Sequence, residues 1–186
     1  MEKERLFNIF SQYHPVSEAL KAYMNTVLVK EYGAKGQQLI KAGQIPANCW
    51  FMAKGSARVY VNSPPQQITT WYWHADQIIH AHSGFPGQTP TDENIELLED
   101  STLFSLAYSA IPQLIRLFPA FYQIEAGLKE VQQYNLSEQT TELKEDVCKR
   151  FVRLSGRFPS RMNENCKRDI AAYLGVTPDI LCPLTT

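Results

Sequence analysis

Residues 35–61 read KGQQLIKAGQIPANCWFMAKGSARVYV, and this stretch decides the fold. Three runs rich in β-branched and aromatic residues, Gln38 to Lys41, Cys49 to Ala53 and Ala57 to Asn62, are parted by Gly43 and Gly55. They are too short for helices, and runs bounded by glycine read as strands with glycine-marked corners. The pattern extends in both directions. Val27 to Tyr32 precedes Gly33 and Gly36, while Gln67 to Trp73 and Gln77 to Ala81 follow the Pro64–Pro65 turn. Many short strands with such corners imply a sandwich, barrel or β-roll. On the Gln67 to Trp73 strand, Trp71 and Trp73 share one face and Tyr72 takes the other, which makes the indoles core or dimer-contact residues.

Before the strands, Glu2 to Tyr13 alternates charge with Leu6, Phe7, Ile9 and Phe10, the pattern of a short amphipathic helix. Ser17 stands as N-cap to a second helix from Glu18 to about Asn25. After the strands, His80 and His82 share a face with His74 nearby, which is the residue type of a metal site. No carboxylate or fourth ligand follows at short spacing, so no metal and no cofactor is expected. Ser83 to Asp100 then reads as a loop carrying Asp92, Glu93, Glu96, Glu99 and Asp100 and no basic residue. It is a lid, a ligand-site wall or a solvated surface, and it would repel a phosphate.

Ser101 to Ala110 reads as the last strand, and Pro112 to Phe118 as a short helix. A long helix starts at Pro119, where Phe121, Ile124, Leu128 and Val131 fall at spacings of three, four and three. That is the seam of a two-helix contact, most simply a dimerisation helix, with packing on its own roll as the alternative for part of its face. Basic residues concentrate beyond it, at Lys149, Arg150, Arg153, Arg157, Arg161, Lys167 and Arg168.

Lys167 to Leu174 reads as a helix that breaks at Gly175, and Thr177 caps a second that opens at Pro178 beside Asp179. Two short helices about a tight turn form a helix-turn-helix, whose second helix enters the major groove of DNA. This second helix runs only to Cys182 before Pro183, and no Arg, Lys, Asn or Gln follows Gly175. The unit is therefore expected to be incomplete.

With a net charge of −1, any affinity for phosphate backbones must come from a local basic patch. The four cysteines form no CxxC pair, and no apolar run is long enough to span a membrane. A cytoplasmic protein is expected. No Ser-His-Asp spacing or phosphate loop is present, so an enzyme is not.

The order of parts resembles the Crp/Fnr family of bacterial transcription regulators. The residues that carry it are the glycines of KGQQLIKAGQ and AKGSARVYV (Gly36, Gly43, Gly55), the segment NIELLEDSTLFSL, and IAAYLGVTPDIL. The resemblance implies an α+β chain in three parts. Residues 1–118 would be a cyclic nucleotide-binding-like sensor, a double-stranded β-helix with N-terminal helices; 119–145 a long dimerisation helix; and 146–186 an incomplete winged helix-turn-helix. It implies a homodimer that binds double-stranded DNA and answers to a small-molecule effector. The phosphate or groove contacts would be Arg150, Arg153, Arg161, Lys167, Arg168, Thr177 and Asp179. Tyr72, Phe85, Gln88, Thr91 and Tyr108 are the candidate pocket residues.

The chain departs from the family at two places. Cyclic-nucleotide binders place a Glu after a Gly and an Arg before Ser or Thr, whereas here Gly84 precedes Phe85 and the second stretch reads Thr91-Asp92-Glu93-Asn94. Carboxylates where a guanidinium belongs predict that cyclic AMP and cyclic GMP do not bind in the usual mode. The short recognition helix leaves two readings open: a DNA-binding regulator, or a ligand-binding or protein-interaction dimer of the same fold that no longer reads a sequence.

Overall fold

A computed structural model describes residues 2–142, 147–157, 170, 171 and 174. The chain divides into two compact units, Met1–Lys129 and Glu130–Thr186. In the first unit, α1 (Glu2–Ser11) and α2 (Glu18–Val27) precede eight strands: β1 (Val29–Gly33), β2 (Gln38–Ile40), β3 (Asn48–Lys54), β4 (Ser56–Ser63), β5 (Gln66–His74), β6 (Ile78–Ile79), β7 (Glu93–Leu97) and β8 (Ser101–Ala107). A 3-10 turn at Tyr108–Ala110, α3 (Ile111–Leu117) and α4 (Ala120–Glu142) follow, and α5 (Val147–Arg157) lies in the second unit.

The strands form two four-stranded antiparallel sheets, in the orders β1-β8-β3-β6 and β2-β7-β4-β5. Alternation along β3 and β8 divides the apolar side chains between two cores. Trp50, Met52 and Leu103 face the roll interior, where Ile40, Ala57, Val59, Trp71, Trp73, Ile79, Ala81, Ile95 and Leu97 complete the core. Phe51, Ala53, Phe104 and Leu106 face outward to Leu6, Phe7, Phe10, Leu20 and Met24 of the N-terminal helices. Each side chain fully buried in this way contributes about 1.5–3 kcal/mol, so the helices are integral to this unit. Ser17 caps α2 by accepting from the Leu20 N–H at 3.2 Å, as its residue type predicts.

Several boundaries differ from the sequence reading. Residues 27 and 28 do not open a strand, because α2 runs to Val27 and the Leu28 N–H closes on the Met24 carbonyl. β6 keeps only Ile78 and Ile79, and Tyr108 to Ala110 turn into the 3-10 segment. The largest difference lies in the acidic interval, where Glu93–Leu97 is strand β7, paired with both β2 and β4.

Gly36, Gly43 and Gly55 all carry positive φ, at 82°, 89° and 111°. The requirement is sharpest at Gly55, between β3 and β4, where a Cβ would meet the Cα of Ser101 at 3.0 Å. Pro64 and Pro65 form the two-residue turn between β4 and β5, with Ser63 opposite Gln66.

Phe121 and Ile124, set on a dimer seam by their spacing, are buried in their own chain, and Leu128 packs against the same core. Phe121 meets Phe10 edge to face at 6.0 Å. This part of the helix therefore takes the alternative course of packing on its own unit, while Val131 is 44 % exposed.

Candidate functional site

The β6–β7 connection and the rings around it form the most elaborated site in the roll. Gly84 turns the chain with φ 86°, and a Cβ there would lie 2.6 Å from the Thr89 carbonyl oxygen, so the loop closes tightly on itself. Thr91 is buried, and its Oγ1 shares a 2.7 Å hydrogen bond with Ser83 Oγ while accepting from the Glu93 N–H at 3.1 Å. Ser83 Oγ also donates to Asp92 Oδ1 at 2.5 Å. Gln88 braces the loop by donating to the carbonyls of Pro46 and Phe85 at 2.9 and 3.0 Å.

A line of rings runs through this site. Tyr108 meets Phe85 edge-on at 5.3 Å, Phe85 stacks on His80 at 5.5 Å, and His80 lies 6.2 Å from Trp73. Trp73 in turn stacks flat on His82 at 5.4 Å and 11°, and the edge of Trp71 closes on the same imidazole at 6.2 Å. The folded chain thus brings Phe85, Gln88, Thr91 and Tyr108 to one loop. Tyr72 lies on the other face of β5 from Trp71 and Trp73, away from the roll interior.

Glu93 is the residue the sequence reading missed. It is 9 % exposed and lies at the start of β7. Its Oε2 accepts from the backbone N–H groups of His82 and Ser83 at 2.6 and 3.3 Å, and its Oε1 lies 3.3 Å from His82 Nδ1. The carboxylate lacking at short spacing from the histidines is supplied eleven residues on, by a side chain that reaches back across the β6–β7 connection. The other histidine rings turn to main-chain oxygens, His80 Nδ1 to Ala81 at 3.0 Å and His74 Nδ1 to Ala75 at 2.8 Å. Among the described residues, no three His, Cys, Asp or Glu side chains gather as a metal-ligand set.

Trp50 and Trp73 are 5 % and 7 % exposed, and among the described residues their indole N–H groups meet no acceptor. The outer face of the β2-β7-β4-β5 sheet carries a polar cluster. Arg58 pairs with Glu96 at 2.8 Å and lies over the Tyr60 ring at 4.5 Å, and the Tyr60 hydroxyl accepts from Gln38 at 2.7 Å.

Of the nucleic-acid candidates, Arg150 is on α5 and is 9 % exposed. Arg153 is on the same helix, and Arg161, Lys167, Arg168, Thr177 and Asp179 lie outside the described residues. Within the sequence motif, Ile170, Ala171 and Leu174 are helical and buried. Among the described residues, no helix is long and apolar enough to cross a membrane.

No family model and no curated protein matches the chain by sequence. Solved structures do. The c-di-GMP-responsive global regulator CLP of Xanthomonas campestris superposes with a TM-score of 0.67 at 13 % identity, over 90 % of this chain and 89 % of its own. FixK2 of Bradyrhizobium japonicum gives 0.70 at 13 % identity, over 85 % and 82 %. A putative Crp/Fnr-family regulator of Eubacterium rectale gives 0.68 at 13 % identity, over 95 % and 85 %. A cyclic nucleotide-binding domain of Methylobacillus flagellatus matches at 0.66 and 15 % identity, over 78 % and 86 %. Two antiparallel sheets rolled about an aromatic core, flanked by helices and followed by a long helix, give this chain the fold of the Crp/Fnr regulators and of cyclic nucleotide-binding domains.

Proposed function

We propose that the chain is a homodimeric transcription regulator of the Crp/Fnr type whose roll senses a small molecule other than a cyclic nucleotide. The observation that carries this reading is the extent of the likeness, which reaches past the roll to 90 % of the chain in CLP and 95 % in the Eubacterium rectale regulator. The buried helical residues Ile170, Ala171 and Leu174 suit the first helix of a helix-turn-helix. Arg153, Arg161, Lys167 and Arg168 would contact phosphates, and Thr177 and Asp179 would lie nearest the groove. Arg150 is too buried to be the first of these contacts.

Phe121 and Ile124 belong to the intrachain core, so the partner helix would meet another face of α4. Tyr122, Ala126 and Lys129 are exposed there at spacings of four and three, with Tyr122 at 57 %. The effector would act by population shift, favouring one arrangement of the paired helices and hence one separation of half-sites about 34 Å apart. Coupling of about 1–3 kcal/mol suffices for such control.

The loop chemistry supports an uncharged effector. Asp92 and Glu93 flank the site and no Lys or Arg lies between Ser83 and Asp100, so a cyclic phosphate meets repulsion. An indole N–H buried without an acceptor costs about 1–3 kcal/mol, so an uncharged planar molecule offering an acceptor would gain from Trp50 or Trp73.

The burial of Arg150 and the net charge of −1 favour a second reading, a ligand-binding or protein-interaction dimer that no longer reads a sequence. Fluorescence anisotropy against random and palindromic duplexes at low and near-physiological salt separates the two. Selective binding that survives the higher salt supports the regulator. Binding that is uniform and lost with salt supports the second reading. All three tryptophans lie in the roll, so their emission tests effectors directly, and a response to cyclic AMP or cyclic GMP would overturn the effector assignment.

A further inference from the structure

The Glu93 carboxylate occupies a place built for an anion. The backbone N–H groups of His82 and Ser83 are successive, and both converge on Oε2, at 2.6 and 3.3 Å. Two consecutive amides aimed at one point form a nest, an anion-binding concavity. The His82 imidazole closes the second side, with Nδ1 3.3 Å from Oε1. These donors are held from outside the site: His82 lies flat on Trp73 with Trp71 at its edge, and Ser83 is fixed by Thr91 and Asp92. The site is therefore assembled by the roll core and by its own loop, and the carboxylate comes from strand β7 opposite.

We propose that the His82–Ser83 nest is a carboxylate-binding site that the chain fills from within, with Glu93 as a tethered ligand in place of a free one. A tethered carboxylate does not diffuse away, so the loop from His82 to Glu93 takes its ordered form without any free anion. The roll is closed to small anions at this point, and an effector must either be uncharged or displace Glu93. Only this regulatory consequence rests on the reading of the roll as a sensor; the site itself does not.

The test uses the full chain and Glu93→Ala, which leaves the two amides without an acceptor but leaves room for formate or acetate. The thermal midpoint of the variant should fall by several degrees, and millimolar formate should restore most of the loss. Chloride at equal ionic strength should not, and formate should leave the wild type unchanged. Hydrogen exchange gives the second readout: the His82 and Ser83 amides should exchange at least about tenfold faster in Glu93→Ala and slow again with formate.

If Glu93→Ala does not fold, Glu93→Gln keeps an acceptor oxygen and the shape of the side chain while losing the charge. Exchange at the same two amides should then be faster than in the wild type. Equal recovery with chloride, unchanged exchange in Glu93→Ala, or full protection in Glu93→Gln would each overturn the proposal. No DNA enters the measurement, so failure to bind DNA leaves this site standing, and failure here leaves the regulator reading standing.

Discussion

Gly127 on α4 lies so close to Tyr13 that a Cβ at position 127 would stand 2.3 Å from Tyr13 Cδ1 and 2.8 Å from Cγ. Replacing a helical glycine by alanine ordinarily gains about 1 kcal/mol. Here the atoms in the way are the root of the ring, with Tyr13 Cβ itself at 3.1 Å, and the Tyr13 N–H is bonded to the Phe10 carbonyl at 3.0 Å, so the backbone that carries the ring is held in place. Overpacking of this kind costs about 1–3 kcal/mol and should outweigh the gain. Gly127→Ala is expected to lower stability by about 1–2 kcal/mol in urea unfolding. A stabilised variant would show that α4 does not bear on Tyr13.

Much of the roll can be read from the sequence because its inward positions are apolar at every second residue. Trp50 and Met52, Ala57 and Val59, and Trp71 and Trp73 take the inward positions in this way. β7 hides because its polar residues are used rather than solvated. Glu93 serves the nest, Asn94 accepts from the Ala42 N–H and donates to the Tyr60 carbonyl, and Glu96 pairs with Arg58. Each partner lies at least ten residues away, beyond any local pattern. The candidate pocket residues Phe85, Gln88 and Thr91 can be grouped from the sequence because they share one loop. Glu93 and Trp50 cannot be, since the Glu93 side chain reaches back ten and eleven residues to two backbone N–H groups and Trp50 comes near only through its pairing with Ile79.

Gly55 is the corner at which substitution should be most damaging. An alanine there must adopt φ 111°, which costs an L-residue about 1–3 kcal/mol. Its Cβ would also lie 2.7 Å from Ser101 Cβ and 3.0 Å from Ser101 Cα, and backbone atoms cannot rotate away. Gly55→Ala should lose roughly 2–4 kcal/mol, read as a lower urea midpoint at unchanged m-value. A loss below about 0.5 kcal/mol would contradict the corner geometry.

Arg5 ties α1 to the sheets through two contacts of unequal worth. Its guanidinium pairs with Asp76 at 2.8 Å, but both side chains are more than a third exposed, so the pair is worth about 0–1 kcal/mol. It also donates to the Ala53 carbonyl, a part-buried acceptor that would lose its side-chain partner. Asp76 has φ 66°, a conformation that asparagine accepts as readily. Asp76→Asn should therefore be nearly neutral, and Arg5→Ala should cost about 1–2 kcal/mol more. Equal losses from the two would assign the whole effect to the ion pair.

Cys49 should behave as a packed thiol rather than a reactive one. It lies against the helix-side core, its Sγ donates to the Leu106 carbonyl at 3.7 Å, and burial pushes its thiol up from 9.0 to about 12. Below pH 9.0 the thiol is protonated in both folded and unfolded chains, and its contribution to stability is complete. As pH rises from 9.0 toward 12, the unfolded thiol ionises while the folded one holds its proton, so that contribution is progressively lost. The same shift leaves the folded site with about a thousandfold less thiolate at pH 8 than a free cysteine. In a chain carrying Cys148→Ser, Cys166→Ser and Cys182→Ser, Ellman's reagent at pH 8 should leave Cys49 unmodified until urea unfolds the protein. Prompt reaction in the native state would mean that the β3–β8 pairing opens on the timescale of the assay, and an alkaline loss of stability that is absent would mean that the thiol is not buried as the packing requires.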